Sequence, residues 1–327
     1  MPAADSPRPP APEGTEPEPV ASGPEDQPGA QYRYHRELFP ALHDWERTER
    51  SIVAFTGERG PRGLLGLDQM GHFGPQGCDL VADAVVAWAS GRDRGAGGDG
   101  GGDPVDLCEL GSGFGGALRY TLDRLTDLAV RVRRAYGVEL VAEHCAVSRR
   151  ISRAQGRTGT LAEICASAAA VPLPDASLDV VVVTGSMPHF PEPGEVLREA
   201  GRLLRPGGLL VLTEEVSMTP DGRTASPSFR ATHPYGVFFT TPLTERERQL
   251  ALAGFQDVAR LDLTEWATAL LAERLKVVRI FHGSVAGIYG TASADLIRDT
   301  LTAARAEYLA GRLLPALFTA RRSDGHA

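Results

Sequence analysis

The chain has 327 residues, a net charge of −8 and a pI near 5.6, and this length suffices for one large α/β domain with attachments. The acidic balance argues against a nucleic-acid partner, because a phosphate backbone selects basic surfaces. The sequence contains no apolar run approaching 18 residues and no secretory signal pattern, so we expect a cytoplasmic protein without a membrane segment. Its four cysteines include no Cys-x-x-Cys pair, which predicts neither a disulfide framework nor a metal site.

The first third of the chain divides into a tail, a cap and a linker. Residues 1–30 hold nine prolines, six acidic residues and no aromatic residue, which predicts a disordered Pro/acid-rich tail. The apolar pattern of residues 31–103 predicts an N-terminal helical cap, with helices over 31–51 and 78–90. This cap could cover a ligand. The cap ends in a Gly-rich linker, because residues 91–103 contain seven glycines in thirteen positions.

A short buried strand followed by a glycine-rich loop is the most informative stretch of the sequence. Residues 104–110 carry the apolar positions of the strand, and the loop then supplies four glycines, Gly111, Gly113, Gly115 and Gly116. Glycine is needed where the backbone adopts positive φ or where a ligand approaches the main chain closely. Glu109 stands two residues before the first glycine, and an acid at that point favours a cationic ligand over a pyrophosphate.

The same loop also satisfies the Gly-x-Gly-x-x-Gly pattern of dinucleotide-binding proteins. That pattern predicts an acidic ribose partner about 20 residues further on, where this sequence has none. Glu143 instead closes the next strand-like run, residues 138–142, and Glu139 is its nearest rival. An NAD(P)-dependent oxidoreductase therefore stays open as the alternative interpretation of the loop.

Three further motifs flank this loop. Asp68, Gln69 and His72 belong to a polar loop that precedes the second cap helix. Residues 180–183 are four consecutive valines, typical of a parallel strand that is buried on both faces, and His189 follows shortly after. Residues 205–208 read Arg-Pro-Gly-Gly and end a helix before another apolar strand.

In order and spacing, these motifs resemble those of the class I S-adenosylmethionine-dependent methyltransferases, whose first motif reads acid-x-Gly-x-Gly-x-Gly. The loop with Asp68, Gln69 and His72 resembles that of the tocopherol and glycine, sarcosine and dimethylglycine methyltransferase group. The motifs cover residues 104–216. The resemblance implies an α/β, Rossmann-like fold with a seven-stranded, mostly parallel sheet, N-terminal helices and a helical lid inserted between the last strands.

The resemblance also implies a site for S-adenosyl-L-methionine, with S-adenosyl-L-homocysteine as product. Glu109 would bind the ammonium group and Glu143 the ribose, while the loop glycines would contact the methionyl part through their backbone. The adenine position usually carries an Asp in this family, and here it is Ser167, so the backbone of Ala168 is a second candidate. The cofactor-binding residues expected in full are Gln69, Glu109, Gly111, Gly113, Gly115, Glu143, Ser167, Ala168 and Thr184.

The remaining residues are expected to bind the acceptor. We divide the domain, residues 104–327, into the sheet, an aromatic substrate insert over 217–243 and a helical lid over about 264–310. If the acceptor is a hydroxyl, amine or indole, a base assists as its proton becomes acidic. The candidates for that base are His72, Tyr235, His189 and Glu214.

The aromatic insert favours a small natural-product acceptor of secondary metabolism, aromatic or indole-type, methylated on C, N or O. The amine acceptors of the glycine and sarcosine enzymes stay open, as does a homodimeric assembly. A protein that binds S-adenosylmethionine without catalysis is a further alternative. No metal is expected, because the sequence shows no Asp/His cluster with ligand spacing.

Overall fold

The computed structural model describes residues 27–58, 67–93, 103–219 and 225–323. Their strands form one seven-stranded sheet in the order β3-β2-β1-β4-β5-β7-β6. The strands are β1 (Val105–Leu110), β2 (Val132–Glu139), β3 (Leu161–Cys165), β4 (Leu178–Thr184), β5 (Leu204–Ser217), β6 (Phe255–Asp262) and β7 (Leu313–Arg322). Strand β7 pairs antiparallel with both β5 and β6, and the other pairs are parallel. The predicted Rossmann-like class I fold is confirmed.

Helices cover both faces of the sheet. The described helices are α1 (Gln27–Leu38), α2 (Pro40–His43), α3 (Trp45–Thr56), α4 (Gly74–Asp93), α5 (Gly116–Asp127), α6 (Ala142–Ala154), α7 (Pro193–Leu203), α8 (Pro227–Thr232), α9 (Leu243–Leu252), α10 (Thr264–Ile280), α11 (His282–Tyr289) and α12 (Thr291–Leu309). Alternate valines of β4 belong to two different cores. Val180 and Val182 pack with α4 and α5, and Val181 packs with α7 and α9. This is the double burial that the valine run predicts.

The N-terminal cap consists of three short helices where the sequence predicts one over 31–51. Pro40 causes the break, because its ring restricts the preceding residue, and α2 begins at this proline. Helix α1 begins at Gln27, so the predicted disordered tail extends four residues too far. The rest of that tail and residues 94–102 of the predicted linker lie outside the described residues.

Strand β2 ends earlier than predicted. It stops at Glu139, whose Oε1 accepts a hydrogen bond from the backbone N–H of Val141 at 2.9 Å. That bond turns the chain, and α6 starts at Ala142, so residues 138–142 are not one strand. Glu143 therefore stands in the first turn of a helix instead of at the end of a strand.

The helical lid predicted over about 264–310 lies between β6 and β7 and contains three helices, α10 to α12. Gly290 separates the last two with φ +88°, a conformation that glycine adopts readily. Buried residues of α10 and α12 pack with Phe73, Phe229 and Phe238, so the lid shares one core with the loop before α4 and with the insert. None of the described helices is long and apolar enough to cross a membrane.

Candidate active site

A cavity of about 600 Å³ lies at the carboxyl ends of β1, β2, β4 and β5. Ligands bind at this edge in open α/β sheets, because the loops that follow parallel strands meet there. Helix α1 and the lid helices α10 and α12 complete its wall. One half of the wall is the glycine loop with its surroundings, which include Gln69, and the other half is built from His72, the insert and the lid.

The glycine loop folds tightly between β1 and α5. Gly111, Gly113 and Gly115 have φ values of +73°, +54° and +74°, which are strained for residues with a Cβ. The N–H groups of Gly111 and Ser112 both donate to the carbonyl oxygen of Val138, at 2.8 and 2.9 Å. Gly111 lines the cavity, whereas Gly113 and Gly115 shape the loop behind it. Their predicted backbone contacts with a ligand stay a prediction.

Glu109 brings a buried carboxylate to the cavity. Its side chain is 1 % exposed, and its Oε2 has no hydrogen-bond partner among the described residues. Burial raises its pKa to about 8. Gln69 lies on the same wall, and its Nε2 likewise lacks a partner within the described part of the chain. An orphaned acceptor and an orphaned donor on one wall fit a ligand that carries both an ammonium and a carboxylate.

Glu139, and not Glu143, reaches the cavity from β2. Glu139 lines the wall, and its Oε2 accepts a hydrogen bond from the N–H of Gly113 at 3.0 Å. Glu143 is exposed on α6 and is absent from the wall. The prediction that Glu143 closes the strand at the site is therefore wrong, because β2 ends four residues earlier. The carboxylate beside the glycine loop belongs to Glu139.

Ser167 and Ala168 lie where the sequence predicts the end of the cofactor pocket. Both line the cavity together with Val138 and Leu140. The hydroxyl oxygen of Ser167 accepts a hydrogen bond from the N–H of Ala169 at 3.2 Å, which leaves its own O–H free to donate. Thr184 also lines the wall, at the end of β4.

The opposite half of the cavity contains a chain of polar side chains. The Nδ1 of His72 lies 2.8 Å from Oε1 of Glu215, and the hydroxyl of Tyr308 donates to the same oxygen at 2.7 Å. His72, Glu215 and His233 line the cavity, with 3.2 Å between the Nε2 atoms of the two histidines. We refer to His72, Glu215, Tyr308 and His233 as the acid–imidazole chain.

The electrostatics of the acid–imidazole chain favour an ionised Glu215 carboxylate and a neutral His233 imidazole. Burial alone would raise the pKa of Glu215, but its contacts with His72 and Tyr308 hold that pKa below its usual range. Burial, assisted by nearby His72, lowers the pKa of His233 well below that of free histidine. Burial raises the pKa of Tyr308, with a further contribution from Glu215, so its phenol stays protonated.

Two predicted catalytic residues lie away from the acid–imidazole chain. Glu214 is buried against Arg246, whose Nε donates to its oxygens at 2.8 and 3.1 Å, because neighbouring residues of a strand face opposite sides. Tyr235 is 52 % exposed, and the Arg230 guanidinium lies 4.2 Å from the centre of its ring. Neither side chain lines the cavity, so the prediction that they face the site is wrong.

His189 lines the cavity but is occupied by structural contacts. Its Nδ1 lies 2.9 Å from the carbonyl oxygen of Val237, and its own carbonyl oxygen accepts hydrogen bonds from the amides of Gln27 and Gln31 at 3.3 and 3.2 Å. Gln31 also donates to the carbonyl oxygen of Val237, at 3.1 Å. His189 thus joins helix α1 to the insert and holds the cap over the cavity.

The known proteins that this chain resembles in sequence are methyltransferases. Residues 108–212 match the family described as a methyltransferase domain. The chain is 36% identical over 153 residues to a probable S-adenosylmethionine-dependent methyltransferase of Mycolicibacterium smegmatis. The match covers 46% of this chain and 52% of that protein. This chain is also 35% identical over 120 residues to 27-O-demethylrifamycin SV methyltransferase of Amycolatopsis mediterranei, covering 35% and 43%. The chain thus spans about half the length of these relatives.

A solved structure supports the same conclusion about the fold. Phosphoethanolamine N-methyltransferase 2 of Haemonchus contortus, in complex with phosphomonomethylethanolamine and S-adenosylhomocysteine, superposes with a TM-score of 0.59 at 17% identity. The alignment covers 67% of this chain and 49% of that one. At this identity the likeness concerns the fold alone.

Proposed function

We propose that this chain, which matches the methyltransferase-domain family over residues 108–212, is an S-adenosylmethionine-dependent methyltransferase that methylates a hydroxyl group of a small, largely apolar natural product. The observation that carries this proposal is the acid–imidazole chain, which faces the cavity opposite the glycine loop. The similarity to 27-O-demethylrifamycin SV methyltransferase, an enzyme named for an O-demethylated natural product, supports the same acceptor class. The alternative of an NAD(P)-dependent oxidoreductase has no support in these relatives.

The wall around the glycine loop fits the cofactor. Glu109 offers its unpartnered Oε2 to an ammonium group, and Gln69 offers its unpartnered Nε2 to a carboxylate. Glu139 is our proposed partner for the ribose hydroxyls, because a carboxylate can accept from both. We propose Ser167 and Ala168, which line the cavity, as the partners of the adenine ring. When bound, S-adenosylmethionine supplies a methyl group on a sulfonium, which an oxygen nucleophile can attack in line.

His72 is the proposed base. One proton must lie between the Nε2 atoms of His72 and His233, because two lone pairs facing each other at 3.2 Å would repel. We infer that the acceptor hydroxyl replaces this contact and donates to Nε2 of His72. As the new O–CH₃ bond forms and the C–S bond breaks, His72 takes the hydroxyl proton. Glu215, hydrogen-bonded at Nδ1, stabilises the resulting imidazolium.

Two measurements test the proposal. The first is isothermal titration with S-adenosylhomocysteine, with NADH and NADPH titrated beside it. We expect saturable binding of S-adenosylhomocysteine alone, strongly weakened in Glu139→Ala and unchanged in the control Glu143→Ala. Binding of a nicotinamide nucleotide instead would contradict the donor assignment.

The second measurement is a mass-spectrometric screen of hydroxylated polyketides and phenols with S-adenosylmethionine. The proposal predicts products that are 14 mass units heavier, one CH₂ per transfer, and that lose this mass on selective ether cleavage. Products methylated only on carbon or nitrogen would contradict O-methylation while leaving the donor assignment in place.

A further inference from the structure

Arg274 is a cation on the cavity wall without a carboxylate partner in the described part of the chain. It lies on α10 of the lid, is partly buried and lines the cavity. Its Nη1 donates to the carbonyl oxygens of Gly71, at 3.3 Å, and of His72. Its Nε and Nη2 have no hydrogen-bond partner among the described residues. Burial lowers its pKa to about 10, which leaves the guanidinium charged at neutral pH.

The two fully buried arginines of the described chain each have a carboxylate partner, unlike the partly buried Arg274. Arg119 is paired with Asp68 at 3.0 Å, and Arg246 is paired with Glu214 at 2.8 Å. The phenol of Tyr289, the other ionisable group facing Arg274, stays neutral because burial raises its pKa. A charge removed from water without a counter-ion is costly. A ligand that brings an anion to Arg274 would supply that counter-ion.

The geometry points to Arg274 as the binding site for a carboxylate of the acceptor, so that the substrate is a hydroxy acid. This inference rests on the proposed function. Two free N–H directions of a guanidinium match the two oxygens of a carboxylate. Because Arg274 donates to the backbone carbonyl oxygen of His72, a carboxylate bound to its remaining N–H groups would lie near the residue that carries the proposed base. A small aromatic hydroxy acid is therefore a suitable probe.

The methionyl carboxylate of the cofactor is the other source of this chemistry. The unpartnered Nε2 of Gln69 lies on the wall with Glu109, which is the proposed ammonium partner. The cofactor's two charged groups thus have partners without Arg274. Arg274 on the lid is therefore available to bind the acceptor.

The test uses 4-hydroxyphenylacetate and its methyl ester as probes, titrated into the full chain saturated with S-adenosylhomocysteine. The wild type is expected to bind the acid at least about tenfold more tightly than the ester. Arg274→Gln, which keeps a donor for the carbonyl of His72, removes that preference, and Arg274→Lys retains part of it. The control is Arg279→Gln, an exposed position on the same helix, which leaves the preference intact.

A second arm compares S-adenosylhomocysteine with 5′-methylthioadenosine, which lacks the amino-acid group. We expect Arg274→Gln to leave both affinities unchanged. A selective loss for S-adenosylhomocysteine would assign Arg274 to the cofactor and overturn the inference. So would equal binding of acid and ester to the wild type, or binding of neither. Failure of the wild type to bind S-adenosylhomocysteine at all would contradict the proposed function instead.

Discussion

The Nε2 atoms of His72 and His233 lie 3.2 Å apart although 161 positions separate these residues in the chain. His72 precedes α4 and His233 follows α8, so the contact depends on how the insert packs beside the loop before α4. Phe229 stacks on His233 with ring centroids 4.0 Å apart and fixes its orientation. The pair therefore depends on tertiary packing of the acceptor half of the cavity.

We expect His72→Ala to lower kcat by about 10² to 10⁴, the usual contribution of general base catalysis. Glu215→Gln should also lower kcat, because the amide cannot stabilise an imidazolium as a carboxylate does. Tyr235→Phe is the matched control and should leave kcat unchanged, since Tyr235 lies on the surface beneath Arg230. Steady-state methyl transfer to a hydroxylated acceptor measures these effects. Full turnover in His72→Ala would show that another group takes the proton.

Binding of S-adenosylhomocysteine should release a proton at pH 7. Glu109, with a pKa of about 8 in the free protein, is mostly neutral at that pH, and an ammonium ligand favours its carboxylate. Affinity should therefore rise about tenfold from pH 6 to pH 7 and level off above pH 8. Titrations in two buffers of different ionisation enthalpy count the protons. Release that persists in Glu109→Gln would assign the proton to another group.

Gly116→Ala should weaken binding of S-adenosylhomocysteine and lower the free energy of unfolding by about 1–3 kcal/mol. A Cβ at this position would overlap the backbone oxygen of Asp68 and lie 2.7 Å from its carbonyl carbon, so the loop before α4 must move. Gly159→Ala is the control, because no atom lies within 4 Å of a Cβ placed there. Chemical denaturation measures the free energy of unfolding, and calorimetric titration measures the affinity for S-adenosylhomocysteine. Equal stability of the two variants would contradict the predicted overlap.

Asp68→Asn should destabilise the protein by about 3–5 kcal/mol, because it leaves Arg119 buried without its counter-ion. Arg119 also donates to the hydroxyls of Ser148 and Ser152, so the pair joins the glycine loop to α6. Glu245→Gln breaks an exposed ion pair with Arg248 and should cost at most about 1 kcal/mol. Urea unfolding monitored by circular dichroism compares the free energies of unfolding of the two variants. A loss for Asp68→Asn as small as that of the control would mean that the pair is solvated in solution.

The half of the site nearest the cofactor was predictable because local patterns determine it. A buried strand followed by glycines places Glu109 and Gly111, and the valine run places β4. Glu143 was chosen wrongly because the end of β2 depends on a side-chain hydrogen bond from Val141 to Glu139, which a hydropathy pattern does not contain. Alternation along β5 indicates that either Glu214 or Glu215 faces the cavity, but only the sheet's packing decides which.

The acceptor half was less predictable. Tyr308 and Arg274 lie on lid helices, and His233 lies in the insert, so their positions depend on how separate elements pack in three dimensions. No local spacing connects them to His72. The helices themselves were foreseen in part, whereas the contacts between them were not.

The boundary of the methyltransferase-domain match has a consequence for engineering. The match, residues 108–212, contains Glu109, Glu139 and Ser167, but His72 precedes it and Glu215, His233, Arg274 and Tyr308 follow it. On the proposed assignments, the donor-binding residues other than Gln69 are therefore encoded within the match, and the acceptor-binding residues are encoded in the two flanking stretches. A chimera that exchanges the flanking segments with those of a relative, but keeps Asp68 and Gln69, should keep the methyl donor and inherit the other enzyme's substrate.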